Sequence, residues 1–369
     1  MGTEVQADMN NGPVQETQTS GDIGGAPVID LTGIEGPSRE RIMREVSAAC
    51  EEWGFFQVVN HGVDLAVMKR AKDASKEFFA SPDEEKLKFA MKKNVHFHGY
   101  FNPDLMDKDV SKFSSTYEHL YYVFYPPLQE HKDRWPTIPE GFGPAMYEYV
   151  VESRGLVERI LGLLSESLGV ESHALFNGLK GPDVTQSNMN ISFYNAKKEG
   201  EGEDQIALLG HTDPGAVTVV YSDEVVGLQV QKGDRWLDIE PTPNSLIVNL
   251  GDQLQIMSNG RFISGNHRVV EKSSKRRLSI INFYSPNMDA IIGPLDGLLS
   301  ESNPPVYKST PYRVYLDTFR QRARAQLLDT ISSFKVLSLS DQEPSSESTI
   351  GTASTSSTIG ESTSSTGMR

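Results

Sequence analysis

The sequence has little cysteine, an excess of acidic over basic residues, and no long apolar run. One of its 369 residues is cysteine, so an intrachain disulfide is excluded and a reducing compartment is expected. The 50 acidic residues outnumber the 35 basic ones, and a net charge of −15 disfavours sequence-independent binding to nucleic acid. No stretch reaches the 18 or so apolar residues of a membrane-spanning helix. We therefore expect a cytoplasmic protein with no nucleic-acid or membrane partner.

Both ends of the chain lack large apolar residues. Residues 1–26 are rich in Gly, Gln, Asn and Thr, and residues 337–369 form a low-complexity run of Ser and Thr. Neither segment can bury enough apolar surface to offset the entropy of ordering its chain. Both are therefore predicted to be disordered tails.

Between the tails, helical patterns come first and strand patterns follow. Apolar residues recur at helical spacing over residues 64–82 and 144–169, and a last helix is predicted over 311–334. Residues 90–137 are rich in aromatics and are expected to be irregular. From 186 to 290, short β-branched or aromatic runs alternate with Gly, Pro, Asn or Asp, which is typical of a sandwich or barrel, a group that includes the jelly roll.

No polar linker separates the helical and strand-rich halves, so we expect them to form one α+β unit. The predicted regions are a mainly helical N-terminal part (27–180), a strand-rich core (181–290) and a C-terminal helical segment (291–336).

The run "GHTDPGAVTVV" at 210–220 combines two metal-binding residue types with a strand end. Residues i and i+2 of a strand point to one side, so His211 and Asp213 project together, and Pro214 suits the end of a strand. His267 starts a Val-rich run 54 residues after Asp213, far enough for intervening strands to bring it back. Two histidines and a carboxylate form the facial triad of non-haem Fe(II) oxygenases, which leaves coordination positions open. The alternative is a strand end that happens to be polar.

A candidate anion site follows in "HRVVEKSSKRRLSIINFY". Because "EKSSKR" is typical of a turn, "RLSIINFY" is expected to pair antiparallel with the strand that starts at His267. Arg277 and Ser279 then face one side, where a guanidinium and a hydroxyl can bind a terminal carboxylate. The alternative is that Arg277 belongs to a solvated surface run with Lys275 and Arg276.

These residues together resemble the H-x-D…H…R-x-S pattern of the 2-oxoglutarate and Fe(II)-dependent dioxygenases. "PVIDLTGI" and "EEWGFFQVVNHGV" are similar to N-terminal signatures of the plant-type branch, which contains flavonoid and gibberellin enzymes. The resemblance covers roughly residues 27–330. It implies an α+β fold, with a double-stranded β-helix (jelly-roll) core flanked by α-helices as in the penicillin-forming oxidases.

The resemblance also implies residue roles. His211, Asp213 and His267 correspond to the iron ligands, and Arg277 and Ser279 correspond to the residues that bind the distal carboxylate of 2-oxoglutarate. Tyr194 matches a tyrosine that often contacts 2-oxoglutarate, although "NAKKEGEGED" stands where the family usually has Pro-Pro-Cys. The candidates for contact with substrate are Phe283, His98 and Tyr117. His96 and His119 lie in the same aromatic region, and Phe283 has the alternative of a plain core residue.

The implied reaction uses Fe(II), 2-oxoglutarate and dioxygen, with ascorbate in support. It hydroxylates or desaturates a small hydrophobic metabolite, such as a hormone, a flavonoid or another specialised metabolite, and releases succinate and carbon dioxide. We expect a monomer. Two alternatives stay open on this fold, namely an Fe(II) oxidase that does not use 2-oxoglutarate and a small-molecule binder without activity.

Overall fold

The computed structural model describes most of the chain between residues 25 and 336. The described ranges are 25–92, 98–106, 116–180, 185–198, 200, 204–325, 327 and 329–336. Of the two predicted disordered tails, residues 1–24 and 337–369 lie outside these ranges, as does His96. The chain divides into the units Met1–Lys335 and Val336–Arg369, and all the elements below belong to the first.

Most of the helices lie in the first half of this unit and most of the strands in the second. The helices are α1 (Arg39–Glu52), α2 (Leu65–Ala80), α3 (Asp83–Leu87), α4 (Gln129–Lys132), α5 (Phe142–Ser167), α6 (Ala174–Lys180), α7 (Asp252–Met257) and α8 (Tyr312–Arg324). The strands are β1 (Val28–Asp30), β2 (Phe55–Val59), β3 (Gly99–Phe101), β4 (Glu118–Tyr125), β5 (Gln186–Tyr194), β6 (Gln205–His211), β7 (Val217–Ser222), β8 (Leu228–Lys232), β9 (Arg235–Asp238), β10 (Leu246–Leu250), β11 (His267–Glu271), β12 (Arg277–Ser285), β13 (Ile291–Ile292) and β14 (Thr310–Pro311). None of the described helices is long and apolar enough to cross a membrane.

Two sheets pack face to face and form the predicted jelly-roll core. The larger sheet has the strand order β1-β2-β10-β7-β12-β5-β4-β3, and the smaller one has the order β6-β11-β8-β9. Apolar side chains from both sheets meet in one buried cluster, which includes Val220 and Ile247 of the larger sheet and Val230 and Val269 of the smaller. A second, larger cluster joins the other face of the eight-stranded sheet to the helices. The molecule therefore has the predicted α+β architecture.

The helices follow their apolar patterns. The helix predicted over 64–82 is confirmed as α2, whose first turn is capped because the Asp64 carboxylate accepts a hydrogen bond from the Ala66 amide at 2.7 Å. The helix predicted over 144–169 is confirmed as α5, and its apolar stripe is buried against the larger sheet, α1 and α2. Burial of this stripe holds the helical layer against the sheet that carries the site.

Two expectations about strands are wrong. The stretch at 90–137, which was expected to be irregular, contains β3 and β4. β4 pairs with β5 and β3 pairs with β4, so both strands extend the larger sheet. Side chains on both faces of β4 are buried. The strand that starts at Arg277 does not pair with the strand that starts at His267. β11 pairs with β6 and β8, whereas β12 crosses to the other sheet and pairs with β5 and β7. The sequence of a short turn does not show whether it joins two strands that pair in a hairpin or two strands that belong to facing sheets.

The C-terminal helix is shorter than predicted. The pattern over 311–334 indicated one helix, but α8 ends at Arg324 and a separate 3-10 turn covers Ile331–Phe334. The Asp329 carboxylate accepts a hydrogen bond from the Ser332 amide at 3.2 Å, so it starts a new turn instead of continuing the old one.

Candidate active site

Three predicted metal ligands converge at one end of the smaller sheet. His211 is the last residue of β6 and His267 the first residue of β11, and the two are paired in register. Asp213 follows β6 by two residues. One possible ligand atom from each of the three side chains lies within 4.8 Å of the other two. Residues that are 54 positions apart in the sequence therefore share one potential coordination centre.

Backbone carbonyls orient both imidazoles. Nδ1 of His211 lies 2.8 Å from the Leu209 carbonyl oxygen, and Nδ1 of His267 lies 3.1 Å from that of Gly265. A carbonyl can only accept, so each Nδ1 carries a proton, and in the neutral imidazole Nε2 is then the nitrogen that keeps the lone pair. The two Nε2 atoms lie 3.8 and 3.9 Å from Oδ1 of Asp213. Both lone pairs are thus available on the side where the carboxylate points.

Two further residues hold the Asp213 carboxylate. Its Oδ2 accepts hydrogen bonds from the Thr218 hydroxyl at 2.5 Å and from the Asn249 amide at 2.8 Å. Thr218 on β7 and Asn249 on β10 are cross-strand partners, so their side chains reach the carboxylate together. Oδ1 remains directed at the histidines. Sequence reasoning missed both residues, although each is a single polar residue within an apolar strand run, which is a usable signal.

The electrostatics favour the metal-binding protonation states. Burial opposes ionisation of Asp213, but His267, His211 and the bonds from Thr218 and Asn249 together hold its pKa below the ordinary value. Burial, followed by the neighbouring His211, lowers the pKa of His267 to about 4. At neutral pH the site therefore offers a carboxylate and a neutral His267 imidazole. Two imidazoles and one carboxylate oxygen on one face fit Fe(II) with open positions for other ligands.

The predicted anion-binding residues lie on the face of the larger sheet that is turned toward the smaller sheet. Arg277 pairs with Tyr194 in register, Ser279 pairs with Ser192, and both Arg277 and Ser279 are buried. The guanidinium carbon of Arg277 lies 5.3 Å from the centre of the Tyr194 ring, and Nε donates to the Val225 carbonyl at 3.1 Å. Burial lowers the pKa of Arg277 while Tyr194 and Asp223 oppose the shift, and arginine stays cationic in proteins.

The Ser279 hydroxyl has no hydrogen-bond partner among the described residues, although it is fully buried. Buried hydroxyls in native proteins are nearly always paired, so an unpaired one beside a buried arginine indicates room for a ligand oxygen. The pair Arg277 and Ser279 fits the distal carboxylate of 2-oxoglutarate.

The three residues predicted to contact substrate do not form one cluster. Phe283 lies on the same face as Arg277. It pairs in register with Thr218, the residue that bonds the Asp213 carboxylate, so it lies near the candidate metal ligands. Tyr117 is buried with its ring centre 4.2 Å from that of Tyr194, which places it beside the anion-binding pair. His98 lies at the edge of the larger sheet, where its ring stacks on Tyr121 and Tyr122.

Two polar residues of β5 were not singled out from the sequence. The Ser192 hydroxyl and the Asn190 side-chain oxygen are buried without a hydrogen-bond partner among the described residues. They pair in register with Ser279 and Ile281, and so they share the face that carries the anion-binding pair. Such unpaired polar atoms indicate contact with a bound molecule, but on the sequence they look like ordinary alternating strand residues.

The fold and this site define a non-haem Fe(II) oxygenase. The family model described as "2OG-Fe(II) oxygenase superfamily" matches residues 185–286, and the model described as "non-haem dioxygenase in morphine synthesis N-terminal" matches residues 26–139. The chain belongs to the 2OG-Fe(II) oxygenase superfamily. It is an oxidoreductase of the dioxygenase type, and its cofactors are Fe(II) and 2-oxoglutarate.

Several plant proteins are similar to this chain. Jasmonate-induced oxygenase 4 from Arabidopsis thaliana is 38% identical over 80% of this chain and 82% of its own length. Flavonol synthase/flavanone 3-hydroxylase from the same plant is 34% identical over 79% of this chain and 86% of its own. A crystal structure of JOX2 in complex with 2OG, Fe and JA superposes with a TM-score of 0.73 at 32% identity, covering 85% of this chain and 90% of that one.

Proposed function

We propose that this enzyme hydroxylates or desaturates a small hydrophobic metabolite, such as a plant hormone or a flavonoid, and releases succinate and carbon dioxide. The observation that carries the proposal is the convergence of His211, Asp213 and His267 with both imidazole lone pairs available. The substrate class is supported by the similar proteins, which include a flavonol synthase and JOX2 bound to JA. A cytoplasmic monomer without nucleic-acid or membrane partners remains part of the proposal.

The side chains divide the work between metal and co-substrate. His211, Asp213 and His267 hold Fe(II) on one face, and Thr218 and Asn249 fix the carboxylate in that position. Arg277 and Ser279, with Tyr194 alongside, bind the distal carboxylate of 2-oxoglutarate. When bound, the ferrous ion and 2-oxoglutarate together supply the activation of dioxygen that the side chains cannot perform.

The substrate is bound on the inner face of the larger sheet, that is, the face turned toward the smaller sheet. Phe283 and Ile281 supply apolar surface there, which keeps water away from the reacting atoms. Asn190 pairs in register with Ile281 on one side and Tyr121 on the other, and its amide oxygen has no hydrogen-bond partner among the described residues. This surface favours a substrate with an apolar body and at least one hydrogen-bonding group. Tyr117 and His98 are proposed to border the same space on the side of β4.

Replacement of Asp213 by Ala tests the proposal. The purified chain is incubated with Fe(II), 2-oxoglutarate and a panel of jasmonic acid, indole-3-acetic acid and naringenin, and succinate and oxidised product are measured. We expect the wild type to release succinate in step with oxidation of at least one compound, and Asp213→Ala to release none because a ligand is lost.

Asp238→Ala is the matched control, since the Asp238 carboxylate bonds Lys272 and Gln229 away from the histidines. It should keep wild-type turnover. Full activity in Asp213→Ala would refute the metal assignment, and product formed without succinate would favour the oxidase that does not use 2-oxoglutarate.

A further inference from the structure

A second charged cluster lies on the opposite face of the strands that carry the anion-binding pair. Its centre is Glu118 of β4, a buried carboxylate with three donors. Oε2 accepts from the Tyr100 hydroxyl at 2.5 Å and from the Lys86 ammonium at 3.1 Å, and Oε1 accepts from the Arg276 guanidinium at 2.8 Å. Burial opposes the charge on Glu118, but these donors hold its pKa below the ordinary value.

Arg276 reaches Glu118 by crossing the intervening strand. Its guanidinium carbon lies 3.7 Å from the centre of the Phe193 ring of β5, and one nitrogen also donates to the Phe193 carbonyl at 3.2 Å. Phe193 is in register with Glu118 on one side and with Leu278 on the other. Glu118, Phe193 and Arg276 therefore form a clasp, the outer clasp, that ties β4, β5 and the start of β12 together.

The outer clasp lies directly behind the residues proposed to bind 2-oxoglutarate. Successive residues of a strand face opposite sides of the sheet. Glu118 is adjacent to Tyr117, Phe193 to Tyr194, and Arg276 to Arg277 in the sequence. On the inner face, the ring centres of Tyr117 and Tyr194 are 4.2 Å apart. The guanidinium carbon of Arg277 lies 5.3 Å from the centre of the Tyr194 ring. Each residue of the clasp thus has its neighbour in the co-substrate site.

The clasp favours the pairing in which Arg276 faces outward and Arg277 inward. Arg276 and Arg277 are chemically equivalent in the sequence, and a slip of one residue in the pairing of β12 would exchange their faces. Glu118 pairs with Arg276 on the outer face at 2.8 Å, whereas on the inner face Arg277 has the half-buried Asp223 nearby. Loss of the Glu118–Arg276 pair would lower the stability of the observed pairing of β12 relative to a slipped or loosened one.

We propose that Glu118 and Arg276 are positioning residues for 2-oxoglutarate, acting through the register and spacing of β4, β5 and β12 on the inward placement of Arg277. This inference rests on the proposed function, because it takes Arg277 as the residue that binds the distal carboxylate. It assigns a positioning role to Arg276, which from the sequence could be only part of a surface run.

The test measures binding rather than turnover. The full chain is loaded with Mn(II) in place of Fe(II), and dissociation constants are measured by calorimetry for 2-oxoglutarate and for 2-oxopentanoate, which has the same carbon chain but no distal carboxylate. We expect Arg276→Ala to weaken binding of 2-oxoglutarate about tenfold, the lower end for loss of an orienting partner, and to leave binding of 2-oxopentanoate unchanged. Arg276→Lys, which keeps the charge but not the planar stack, should fall between Arg276→Ala and the wild type.

Two further variants serve as a negative and a positive control. Arg261→Ala removes an arginine that pairs with Glu51 at 3.0 Å and lies over the Phe262 ring, and it should change neither constant. Arg277→Ala should weaken 2-oxoglutarate more than Arg276→Ala does. Arg276 is partly exposed, so its variants test the clasp even if Glu118→Gln, which takes a charged partner from the buried Lys86, fails to fold.

An unchanged constant for 2-oxoglutarate in Arg276→Ala would overturn the inference, and so would equal weakening of both ligands, which would indicate general damage to the fold. Failure of the proposed function looks different. A chain that binds 2-oxoglutarate in the expected way but oxidises no compound would contradict the proposed reaction and leave the clasp standing. An ineffective Arg277→Ala would overturn both.

Discussion

Individual residues around Asp213 hold its carboxylate in position for binding a metal. Thr218 and Asn249 occupy one carboxylate oxygen, and the two histidines face the other. A carboxylate that is held by hydrogen bonds from a rigid sheet loses less freedom when it binds a metal. The ligand geometry is therefore partly built by residues that do not themselves touch the metal.

Removal of the Asn249 side chain should weaken metal binding. We expect Asn249→Ala to lower the affinity for Fe(II) about 10- to 100-fold, the usual range for loss of an orienting partner, and Thr218→Val to act in the same direction. Equilibrium dialysis under anaerobic conditions measures the affinity directly. The matched control is Asn282→Ala, which removes an equally buried asparagine that donates to Ser153 on α5, away from the metal ligands. Asn282→Ala should lower stability but not affinity, and wild-type affinity in Asn249→Ala would contradict the assigned role.

The sequence could predict the candidate metal ligands but not the residues that hold them in position. His211 and Asp213 stand at i and i+2 next to a Pro-Gly turn, a local pattern that survives without knowledge of the fold. Thr218 and Asn249 act only because β7 and β10 are paired. That pairing joins residues from distant parts of the chain, and no local pattern records it.

At the level of elements, the loop that carries Asp213 is fixed by its contact with the start of α7. The Asp252 amide donates to the Asp213 carbonyl at 2.8 Å, and the Gly251 amide donates to that of Ala216 at the same distance. A Cβ on Gly251 would lie 2.3 Å from the Gly215 carbonyl oxygen and 2.8 Å from that of Asp213. The two backbones approach so closely that only glycine fits between them.

Gly251→Ala should therefore push the metal loop away from α7. The backbone of Gly251 is in the β region, open to any residue, so the effect is steric rather than conformational. We expect a loss of about 1–3 kcal/mol in the free energy of unfolding, the usual cost of overpacking, together with weaker Fe(II) binding. Chemical denaturation of the apo-protein measures the first and anaerobic dialysis the second.

Gly155→Ala is the comparison variant, because nothing lies within 4 Å of the position that its Cβ would take on α5. It should gain about 0.5–1 kcal/mol from the higher helix propensity of alanine and keep the metal affinity. If Gly251→Ala bound Fe(II) as tightly and unfolded as late as the wild type, the contact between loop and helix would not matter for the site.

Prediction of the elements from the sequence succeeded where the signal was local. The apolar stripe and the capping Asp64 identify α5 and α2. β4 was missed because aromatic residues on both of its faces hide the alternation that identifies a half-buried strand. The partner of β12 was mistaken because adjacency in sequence suggests a hairpin, whereas a jelly roll sends consecutive strands to opposite sheets.

At the scale of the whole molecule, burial of histidines links stability to pH. Burial lowers the pKa of His119 to about 4, against an ordinary value of 6.5, and a bond with the Tyr117 backbone opposes the shift only partly. Between these two values the unfolded chain binds a proton that the folded chain does not. The stability supplied by neutral His119 is therefore complete above pH 6.5 and is lost as the pH falls toward 4.

We expect His119→Gln to flatten this dependence. The free energy of unfolding of the apo-protein should fall by about 2 kcal/mol less between pH 7 and pH 5 in the variant than in the wild type, since each pH unit is worth 1.36 kcal/mol for one proton. Urea denaturation at a series of pH values gives the comparison. Parallel curves for the two proteins would show that His119 does not titrate in this way.

The sequence by itself determined which residue types are present at which spacing: a metal-binding pair at a strand end, a distant histidine, an arginine and serine two residues apart, and the apolar periodicity of the main helices. These are properties of short segments, and covalent spacing sets them. Only the tertiary structure decided which sheet receives β12, which of two adjacent arginines faces inward, and which polar residues hold the Asp213 carboxylate. Each of those outcomes depends on the pairing of strands far apart in the chain, where burial and cross-strand contact select one arrangement among several that the local pattern allows.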